Sequence, residues 1–527
     1  MLGYILNRIN VGGVLQKMRF IMNINKKTFL LAGFTLTLLS SCSNMDEVNN
    51  TSVQEASTKP NVVYIVVDDL GYSDIGAYNK DSFYQTPNID TLASQGIQFT
   101  DGYAANPVCS PSRFALLTGK HPTRGQATDW FPHKNKPSRS GHFNAADFER
   151  VLPHKETTIA EAFKEQGYST AFLGKWHLGE DESFWPEHQG FDVNIGGTMN
   201  GHPPAGYFSP YKNPRLSDGP KGEYLTQRLT DEAINLVDGY SKKSDPFFMM
   251  LAFYTVHTPL QAPEEDVQKY NAKRDEANLE NSFIEGEQVW PIDEARNIRV
   301  KQNHSTYAAM VNQMDTQVGR LLNKLKASGL DKNTIVVFTS DNGGLSTAEG
   351  APTSNLPLRG GKGWLYEGGI RVPFIVKIPN MPNQGQLVAT PVISNDLYPT
   401  LLAAAGLPLK PQQHIDGRDL SKMLMGKASY NELSDRAMYF HYPHYSNQGG
   451  FPGAAVRLGD WKLIERFENG VVHLYNLRKD IEEQHDLATE YPEKVNELRT
   501  KLHNWYKETD ARFLQAKDGK QPWRPEA

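Results

Sequence analysis

The sequence predicts an α/β fold: a large mixed, mostly parallel sheet sandwiched by helices, with a smaller C-terminal α+β subdomain carrying an antiparallel sheet. Continuous β-branched runs at residues 61–67 and 334–339 are typical of strands that are covered on both faces. Such runs alternate with helical patterns over residues 60–410, which indicates a largely parallel sheet. Beyond Gly426 short strand patterns and tight turns follow one another, and this change indicates the antiparallel subdomain.

Each element is predicted from its own pattern, with apolar residues at helical spacing for helices and short apolar runs for strands. The predicted helices span residues 88–95, 157–166, 224–239, 305–326, 397–405 and 492–507. The predicted strands span residues 61–67, 169–173, 246–253, 334–339, 374–378, 437–442, 454–458, 461–466 and 471–475. Residues 264–300 are charged and interrupted, which predicts an excursion over the surface.

Composition limits the class of protein. The chain has 527 residues, too many for one ordinary domain and enough to bury a large core. Its formal net charge of -5 provides no basic surface for nucleic acid, so no nucleic-acid partner is expected. With two cysteines, Cys42 and Cys109, the chain has no disulfide framework.

The N-terminus has the pattern of an export signal. Lys26 and Lys27 precede an apolar run at residues 29–39, which is too short to span a bilayer and suits a signal peptide. The run leads into Leu-Ser-Ser before Cys42, which resembles a bacterial lipobox, with cleavage before the cysteine and acylation of its thiol. Met22 is the expected start.

A further helix is predicted at the second cysteine. Ser110 can cap this helix, Pro111 suits its first position and Gly119 ends it. Cys109 then lies at the helix N-terminus, where free N–H groups and the helix dipole favour an anion, and Arg113 follows one turn later. These residues alone leave two interpretations open, a reactive cysteine and a small buried hydrophobic residue.

Polar side chains follow four of the predicted strands. They are Asp68 and Asp69, Lys175 and His177, His257, and Asp341 and Asn342. Because ligands of open α/β sheets bind beyond the carboxyl ends of the strands, we expect these side chains to meet. The four oxygen-bearing side chains suit calcium or magnesium, and the lack of a Cys/His cluster disfavours zinc.

The segment that begins at Cys109 reads C-S-P-S-R, followed by A-L-L-T-G. This segment resembles the signature of the formylglycine-dependent (type I) sulfatases, arylsulfatase-like members of the alkaline-phosphatase-type superfamily. Further segments typical of that family are VDDLGYSDIGAYN from Val67, GKWHLG from Gly174, LRGGKG from Leu358 and EGGIRVP from Glu367. The resemblance covers nearly all of residues 60–475.

The resemblance implies a nucleophile and a metal. A maturation enzyme would convert Cys109 to formylglycine (3-oxoalanine), whose hydrate attacks sulfur with help from Asp341, while Arg113 holds the hydrate. One calcium ion, with magnesium less favoured, would be bound by Asp68, Asp69, Asp341 and Asn342.

The resemblance also implies roles for basic residues. Lys175 and Lys362 would neutralise the sulfate oxygens as positioned point charges. His257, with Lys362, would protonate the departing alkoxide. His177 would remove the second hydroxyl proton and so expel sulfate.

These interpretations divide the chain into four parts. Residues 1–42 are predicted to be a signal peptide with a lipobox, 43–59 a flexible tether, 60–426 the catalytic sulfatase domain and 427–527 the C-terminal subdomain. The division predicts an exported bacterial lipoprotein in the periplasm or at the outer membrane or cell surface. Membrane contact is expected only through a lipid anchor on Cys42.

The resulting hypothesis is a sulfatase, exo-acting on sulfated saccharides, with galactose or N-acetylgalactosamine sulfates favoured. The alternatives are a phosphomonoesterase or phosphonate esterase of the same superfamily, an inactive glycan-binding lipoprotein and, as a poor third, a thiol peptidase. Candidate selectivity elements are the 196–215 loop and residues 441–445. The aromatic residues of that loop could stack on sugar rings or hold the loop in place, and the sequence leaves both open.

Overall fold

The computed structural model describes residues 59–132, 136–287, 289–292, 294 and 296–525. The predicted signal peptide, the lipobox and nearly all of the tether lie outside these residues. No helix of the described part has the length and apolar character needed to cross a membrane.

Strands and helices alternate through most of the chain. The strands are β1 (Asn61–Val67), β2 (Ile97–Phe99), β3 (Gly102–Tyr103), β4 (Ser169–Gly174), β5 (Val193–Ile195), β6 (Phe247–Ala252), β7 (Phe283–Glu285), β8 (Asn297–Arg299), β9 (Thr334–Ser340), β10 (Phe374–Lys377), β11 (Gln386–Val388), β12 (Val392–Ile393), β13 (Ala437–Tyr442), β14 (Gly453–Leu458), β15 (Trp461–Arg466) and β16 (Val472–Asn476). The helices are α1 (Pro87–Gln95), α2 (Cys109–Thr118), α3 (Ile159–Lys164), α4 (Leu225–Tyr240), α5 (Glu264–Glu276), α6 (Ser305–Ala327), α7 (Glu367–Ile370), α8 (Leu397–Ala404), α9 (Ser421–Leu424) and α10 (Pro492–Thr509).

The main sheet has eight strands in the order β11-β2-β10-β9-β1-β6-β4-β5. Its centre is parallel, because β1 pairs in parallel with both β6 and β9, and β4 pairs in parallel with β5 and β6. β10 runs antiparallel to β9 and β2, which makes the sheet mixed. This topology confirms the predicted mixed, mostly parallel sheet.

Helices cover both faces of this sheet. Alternate residues of the fully buried β1 belong to two separate hydrophobic clusters, as expected for a strand with two covered faces. Apolar residues of α2, α3 and α8 pack in the first cluster, and those of α1, α4 and α6 pack in the second. The continuous hydrophobicity of β1 therefore reflects burial on both sides.

A four-stranded antiparallel sheet, in the order β13-β14-β15-β16, forms the C-terminal part and confirms the predicted α+β architecture. One face packs against α10 through Leu498, Leu502 and Trp505. Other residues of this sheet, including Phe440 and Ile464, belong to a separate hydrophobic cluster. That cluster also contains residues from segments that follow strands of the main sheet in the sequence. The boundary between residues 426 and 427 stays a prediction.

One local expectation is wrong, and one segment contains elements that the sequence did not predict. Helix α2 begins at Cys109 with Val108 as its N-cap, so Ser110 lies in the first turn, where its Oγ accepts a hydrogen bond from Phe131 N. Residues 264–300 contain helix α5 and a short β7–β8 hairpin. The charge-rich pattern concealed α5, because only Tyr270 of this helix is buried.

Candidate active site

The site forms where the two central parallel strands β1 and β9 end. Val67 of β1 pairs with Ser340 of β9, so the acidic residues that follow each strand lie side by side. Asp69 N donates a hydrogen bond to Asp341 Oδ1 at 3.2 Å, and Asn342 Nδ2 donates to Asp69 Oδ1 at 2.8 Å. The expected meeting of these residues follows from the parallel register.

Cys109 lies against these carboxylates in the first turn of α2. Its side chain is 3% exposed, and Sγ is 3.5 Å from Asp68 Oδ1 and 3.9 Å from Asp69 Oδ1. Burial raises the pKa of the Cys109 thiol well above its usual range, and Asp68 and Asp341 add to this effect although Lys175 and Lys362 oppose it. An ionised thiolate is therefore disfavoured at this position.

Three buried cations balance the three carboxylates. Arg113 Nε donates to Asp341 Oδ2 at 2.8 Å, and Arg113 Nη1 donates to the Lys175 carbonyl at 2.6 Å. Lys175 Nζ lies 2.6 Å from Asp68 Oδ2, and Lys362 Nζ lies 2.8 Å from Asp69 Oδ2. The cations share the crevice with the acidic residues, which keeps the local charge near zero.

His177 follows β4 in a left-handed backbone conformation, with φ of 60°. Its Nε2 lies 3.1 Å from the Phe131 carbonyl, which accepts only if Nε2 carries the proton. Burial and the nearby cations lower the pKa of His177, so the ring is neutral, and the buried Nδ1 has no hydrogen-bond partner among the described residues. Nδ1 is thus the basic atom of this ring.

His257 follows β6 and approaches Asp69 of the acidic cluster. Its Nδ1 lies 2.8 Å from the Thr258 carbonyl, and its Nε2 lies 3.7 Å from Asp69 Oδ2. Burial and Lys362 lower the pKa of His257, although Asp69 opposes them. Nδ1 donates to the carbonyl, which leaves Nε2 as the atom that can exchange a proton.

The acidic cluster suits a hard cation. Ligand atoms of Asp68, Asp69, Asp341 and Cys109 lie within 4.8 Å of one another. Burial and then the neighbouring carboxylates raise the pKa of Asp68 to about 8, despite Lys175, and a bound cation would relieve this repulsion. Asn342 Oδ1 is buried without a hydrogen-bond partner among the described residues. Oxygen donors of this kind are those that calcium prefers.

A cleft of about 290 Å³ opens above Cys109 and is also lined by His177, His257 and Lys362. The remaining wall contains several residues that sequence reasoning missed: Trp130, Phe131, Lys136, Glu349, Asn447 and Gln448. They lie on irregular segments with no motif, so no local signal marked them. Lys136 Nζ stands 4.6 Å from the centre of the Trp130 ring.

The 196–215 loop contributes to the cleft, although its tyrosines do not line it. Met199 to His202 line the cleft, whereas Tyr207 and Tyr211 are buried. The Tyr207 hydroxyl donates to the Tyr254 carbonyl at 2.6 Å, which anchors the loop. Gly201 packs closely on His177: a Cβ added at Gly201 would lie 2.5 Å from Cε1 of His177.

The other predicted selectivity element does not line this cleft. His441 and His444 are fully buried, with His441 Nε2 2.8 Å from the Arg512 carbonyl and His444 Nε2 2.9 Å from Thr128 Oγ1. These histidines pack inside the protein because the end of strand β13, which contains His441 and lies just before His444, is covered. The nearby residues Asn447 and Gln448 reach the cleft in their place.

Comparisons with known proteins agree with this geometry. The family model described as Sulfatase matches residues 60–407, and the model described as N-sulphoglucosamine sulphohydrolase, C-terminal, matches residues 361–511.

The similar proteins span most of their own length and of this chain. A sulfatase of Formosa agariphila is 29% identical, covering 86% of this chain and 88% of the relative. Human steryl-sulfatase is 30% identical, covering 73% of each chain. The crystal structure of Ps i-CgsB in complex with k-i-k-neocarrahexaose is 31% identical, with a TM-score of 0.68, covering 85% of this chain and 92% of that one.

Proposed function

The chain belongs to the sulfatase family and is a sulfuric ester hydrolase, and we propose that it is an exo-acting, calcium-dependent enzyme that desulfates saccharides through a formylglycine at position 109. One observation carries the proposal. Cys109 stands at a helix N-terminus, at the floor of an open cleft, against three carboxylates that are matched by three buried cations. A binding module needs neither this charge arrangement nor a cysteine at its centre.

A saccharide substrate fits the cleft and the similar proteins. The similar structure of Ps i-CgsB holds k-i-k-neocarrahexaose, and N-acetylgalactosamine-6-sulfatase of Mus musculus is 31% identical over 77% of this chain. The cleft wall combines an aromatic ring, Trp130, with polar side chains such as Asn447 and Gln448. Such a wall suits a ligand that presents both hydroxyl groups and an apolar ring face. Galactose and N-acetylgalactosamine sulfates remain the favoured substrates.

The buried thiol is a poor nucleophile, and this supports the conversion of Cys109. In the conversion the side chain loses one sulfur and two hydrogen atoms and gains one oxygen, with the oxidant supplied through the maturation enzyme. Because Cys109 is 3% exposed in the folded protein, that enzyme would act on the unfolded chain. Arg113, fixed by Asp341 and the Lys175 carbonyl, would hold the hydrated aldehyde.

Asp68, Asp69, Asp341 and Asn342 would hold the calcium ion, with magnesium less favoured. When bound, the ion supplies positive charge for the nucleophile and for a sulfate oxygen. Asn342 Oδ1 has no hydrogen-bond partner in the described ranges, and rotation of the amide by 180° would turn this oxygen toward Asp69, where Nδ2 now points.

The remaining side chains supply charge and protons. Lys175 and Lys362 would stabilise the negative sulfate oxygens at the floor of the cleft. His257, assisted by Lys362, would protonate the departing sugar oxygen from Nε2. His177 would accept the second hydroxyl proton at Nδ1 as sulfate departs, while the Phe131 carbonyl keeps Nε2 protonated.

Mass spectrometry of the peptide that contains Cys109 tests the proposal. Enzyme produced with a maturation system should carry the aldehyde and release sulfate from sulfated sugars, with aryl phosphate hydrolysed far more slowly. Cys109→Ala should abolish turnover and leave folding nearly unchanged. A fully active enzyme that contains only unmodified cysteine would refute the mechanism.

Two histidine variants test the proton transfers. A sugar alkoxide leaves poorly without a proton, whereas an acidic nitrophenolate leaves readily. His257→Ala should therefore lose about 10²–10⁴-fold in rate on a sugar sulfate and much less on an aryl sulfate. His177→Ala should slow both substrates alike and show a burst followed by slow turnover. Equal losses for His257→Ala on both substrates, without a burst in His177→Ala, would show that the roles are wrong.

Export as a bacterial lipoprotein, through an acylated Cys42, completes the proposal. The enzyme would then act on its substrate in the periplasm or at the cell surface. Cys42→Ala should move the protein from the membrane fraction to the soluble fraction, and an unchanged distribution would contradict the lipid anchor.

A further inference from the structure

We infer that Glu349 is a specificity-determining residue: its carboxylate accepts a hydrogen bond from a sugar hydroxyl next to the scissile sulfate and rejects a second anionic group at that position. This inference rests on the proposed saccharide sulfatase function. It assigns the substrate class more narrowly, as sugars that carry one sulfate and a free neighbouring hydroxyl at the bound end.

The Glu349 carboxylate is held in place by three side chains from two distant segments. Its Oε2 accepts a hydrogen bond from Thr258 Oγ1 at 3.0 Å. Its Oε1 accepts from Gln448 Nε2 at 2.9 Å and from Asn447 Nδ2 at 3.2 Å. A carboxylate fixed from both sides presents its charge in one direction, as a specificity contact requires.

Gln448 is itself fixed, so the arrangement is rigid. Its Oε1 accepts from Ser446 Oγ at 2.8 Å, which orients Nε2 toward Glu349. Its backbone carbonyl accepts from Trp364 Nε1 at 3.0 Å and from Thr347 Oγ1 at 2.6 Å. The buried side chains behind Gln448 therefore determine where the Glu349 carboxylate stands.

The contacts leave Glu349 charged and with room for one more donor. An ionised carboxylate offers about four acceptor positions, and three are used. All three donors are neutral, and within the described ranges no lysine or arginine forms an ion pair with Glu349. Against the effect of burial, the nearby charges of Lys362 and His257 lower the pKa of Glu349, which favours the ionised form. The residue is exposed and lines the same cleft as Cys109, Lys362 and His257, so its carboxylate stands within reach of a bound substrate.

A negative charge at the wall of this cleft needs a reason, because the proposed substrate is itself an anion. It weakens the attraction of the cleft for any sulfate ester and repels most strongly a second sulfate or carboxylate placed beside it. A hydroxyl donor in the same place gains a charge-assisted hydrogen bond. The arrangement thus selects a hydroxyl over an anion.

A second role is possible for the same contacts, and the test must separate the two. Thr258 directly follows His257 in the chain and donates a hydrogen bond to Glu349. Holding His257 in position could therefore be the whole role of Glu349. A positioning residue would affect every substrate whose leaving group needs a proton, with or without a neighbouring hydroxyl. A specificity residue affects only those substrates that carry the hydroxyl or the second anion.

The experiment uses Glu349→Gln, which keeps the shape of the side chain and removes its charge. Its matched control is Glu276→Gln, a change at an exposed residue at the end of α5. The probes are a panel of monosulfated galactose, N-acetylgalactosamine and glucosamine derivatives, the analogues that lack the neighbouring hydroxyl, and the corresponding disulfated sugars. An alkyl sulfate without hydroxyl groups reports on leaving-group protonation alone.

On the monosulfated sugar that the wild type prefers, Glu349→Gln should lower kcat/KM by about 10- to 100-fold, the usual effect of a hydrogen bond to a charged group. With the wild type, kcat/KM for the deoxy analogue should be lower than for the parent sugar by a similar factor. Glu349→Gln should lower kcat/KM for the deoxy analogue little further, because both changes remove the same contact. The wild type should discriminate against the disulfated sugar, and the variant should lose that discrimination. Glu276→Gln should match the wild type throughout.

Two results would overturn the inference. Equal losses on the sugar and on the alkyl sulfate would show that Glu349 only positions His257, and unchanged selectivity would show that it does not contact the substrate. Binding of the monosulfated sugar to the Cys109→Ala protein, measured by calorimetry, gives a readout that is independent of turnover. If the wild-type protein released no sulfate from any of these sugars and Glu349→Gln still weakened this binding, the proposed function would be refuted and the contact would stand.

Discussion

Two buried networks in this protein each pair carboxylates with lysine and arginine side chains, and the two networks differ in their role. The first is the acidic cluster beneath Cys109. The second, which we call the interface network, joins α7 and its surroundings to the C-terminal sheet. Its members are Tyr103, Glu367, Arg371, Lys462 and Glu483.

In the interface network each carboxylate oxygen lies next to a cation or a hydrogen-bond donor, and for Glu483 Oε1 this contact is the ion pair with Lys462, since that oxygen has no hydrogen-bond partner among the described residues. Lys462 Nζ lies 2.9 Å from Glu367 Oε1 and 2.8 Å from Glu483 Oε1. Glu367 Oε2 lies 2.9 Å from Arg371 Nε, and Glu483 Oε2 accepts from Glu367 N at 2.6 Å. The cations separate the carboxylates, so the network is complete without any ligand.

In the acidic cluster the carboxylates converge on one another, and several buried polar atoms have no hydrogen-bond partner among the described residues. These atoms are Arg113 Nη2, His177 Nδ1 and Asn342 Oδ1. The cluster also contacts Cys109 and Lys362, which line an open cleft, whereas Glu367, Lys462 and Glu483 are fully buried and do not line it. The comparison teaches that buried charge alone does not mark a functional site; incomplete pairing beside a cleft does.

The largest expected effect follows from a change in the acidic cluster. Asp341→Ala should lower sulfate release by about 10³-fold or more, because it removes a proposed calcium ligand and the carboxylate nearest to Arg113. Exhaustive chelation of the unaltered enzyme should have the same result. Added calcium should raise Tm by ligand linkage, worth about 2.7 kcal/mol at 100 times the Kd, and Asp341→Ala should lose this rise.

A matched change in the interface network serves as the control. Lys462→Met should keep the calcium-dependent rise in Tm. Full turnover after chelation, or loss of the calcium effect in Lys462→Met, would contradict the distinction between the two networks.

Lys462→Met itself should destabilise the fold. It leaves Glu367 and Glu483 facing each other without their shared cation, and removing one partner of a buried pair costs about 3–5 kcal/mol. Urea unfolding measures this loss, and kcat/KM per folded molecule should stay near that of the wild type. The double variant Lys462→Met/Glu483→Gln should recover part of the stability. A stable but inactive Lys462→Met variant would show that this network takes part in catalysis.

The smallest effect concerns pH. Burial, together with the charge of Glu367, raises the pKa of Glu483 to about 7 against the opposing effect of Lys462. The folded state therefore holds a proton that the unfolded chain, with a pKa near 4.5, has released. The free energy of unfolding should fall as pH rises from about 4.5 to 7 and change little above that range.

Glu483→Gln should remove this part of the pH dependence, because an amide does not titrate. Urea midpoints between pH 5 and 8 measure the difference between the two proteins. An identical pH profile for wild type and variant would show that Glu483 is already ionised in the folded protein at low pH.

Much of the fold and of the reactive floor could be predicted from the sequence. The strand patterns that lead to Asp68 and Asp341 imply full burial, and parallel pairing then brings their ends together wherever they lie in the chain. All ten residues predicted for the site lie at or beside the cluster under Cys109. Their roles stay predictions until the variants are measured.

The short edge strands and the walls of the cleft could not be predicted. Strands such as β2 and β11 have three residues each, too few for a periodic pattern. Glu349 and Gln448 are separated by about a hundred positions in the sequence and carry no motif, yet they share one hydrogen bond.

The sequence by itself determined which strands are buried and which chemistry stands at their ends, because periodicity and strand-end motifs are local properties of the chain. The tertiary structure alone decided what surrounds that chemistry. It buried His441 and His444, turned Gln448 toward Glu349 and left the Asn342 Oδ1 without a hydrogen-bond partner within the part of the chain that the structure describes. These outcomes depend on how distant loops pack on one another, and such packing follows from the whole fold.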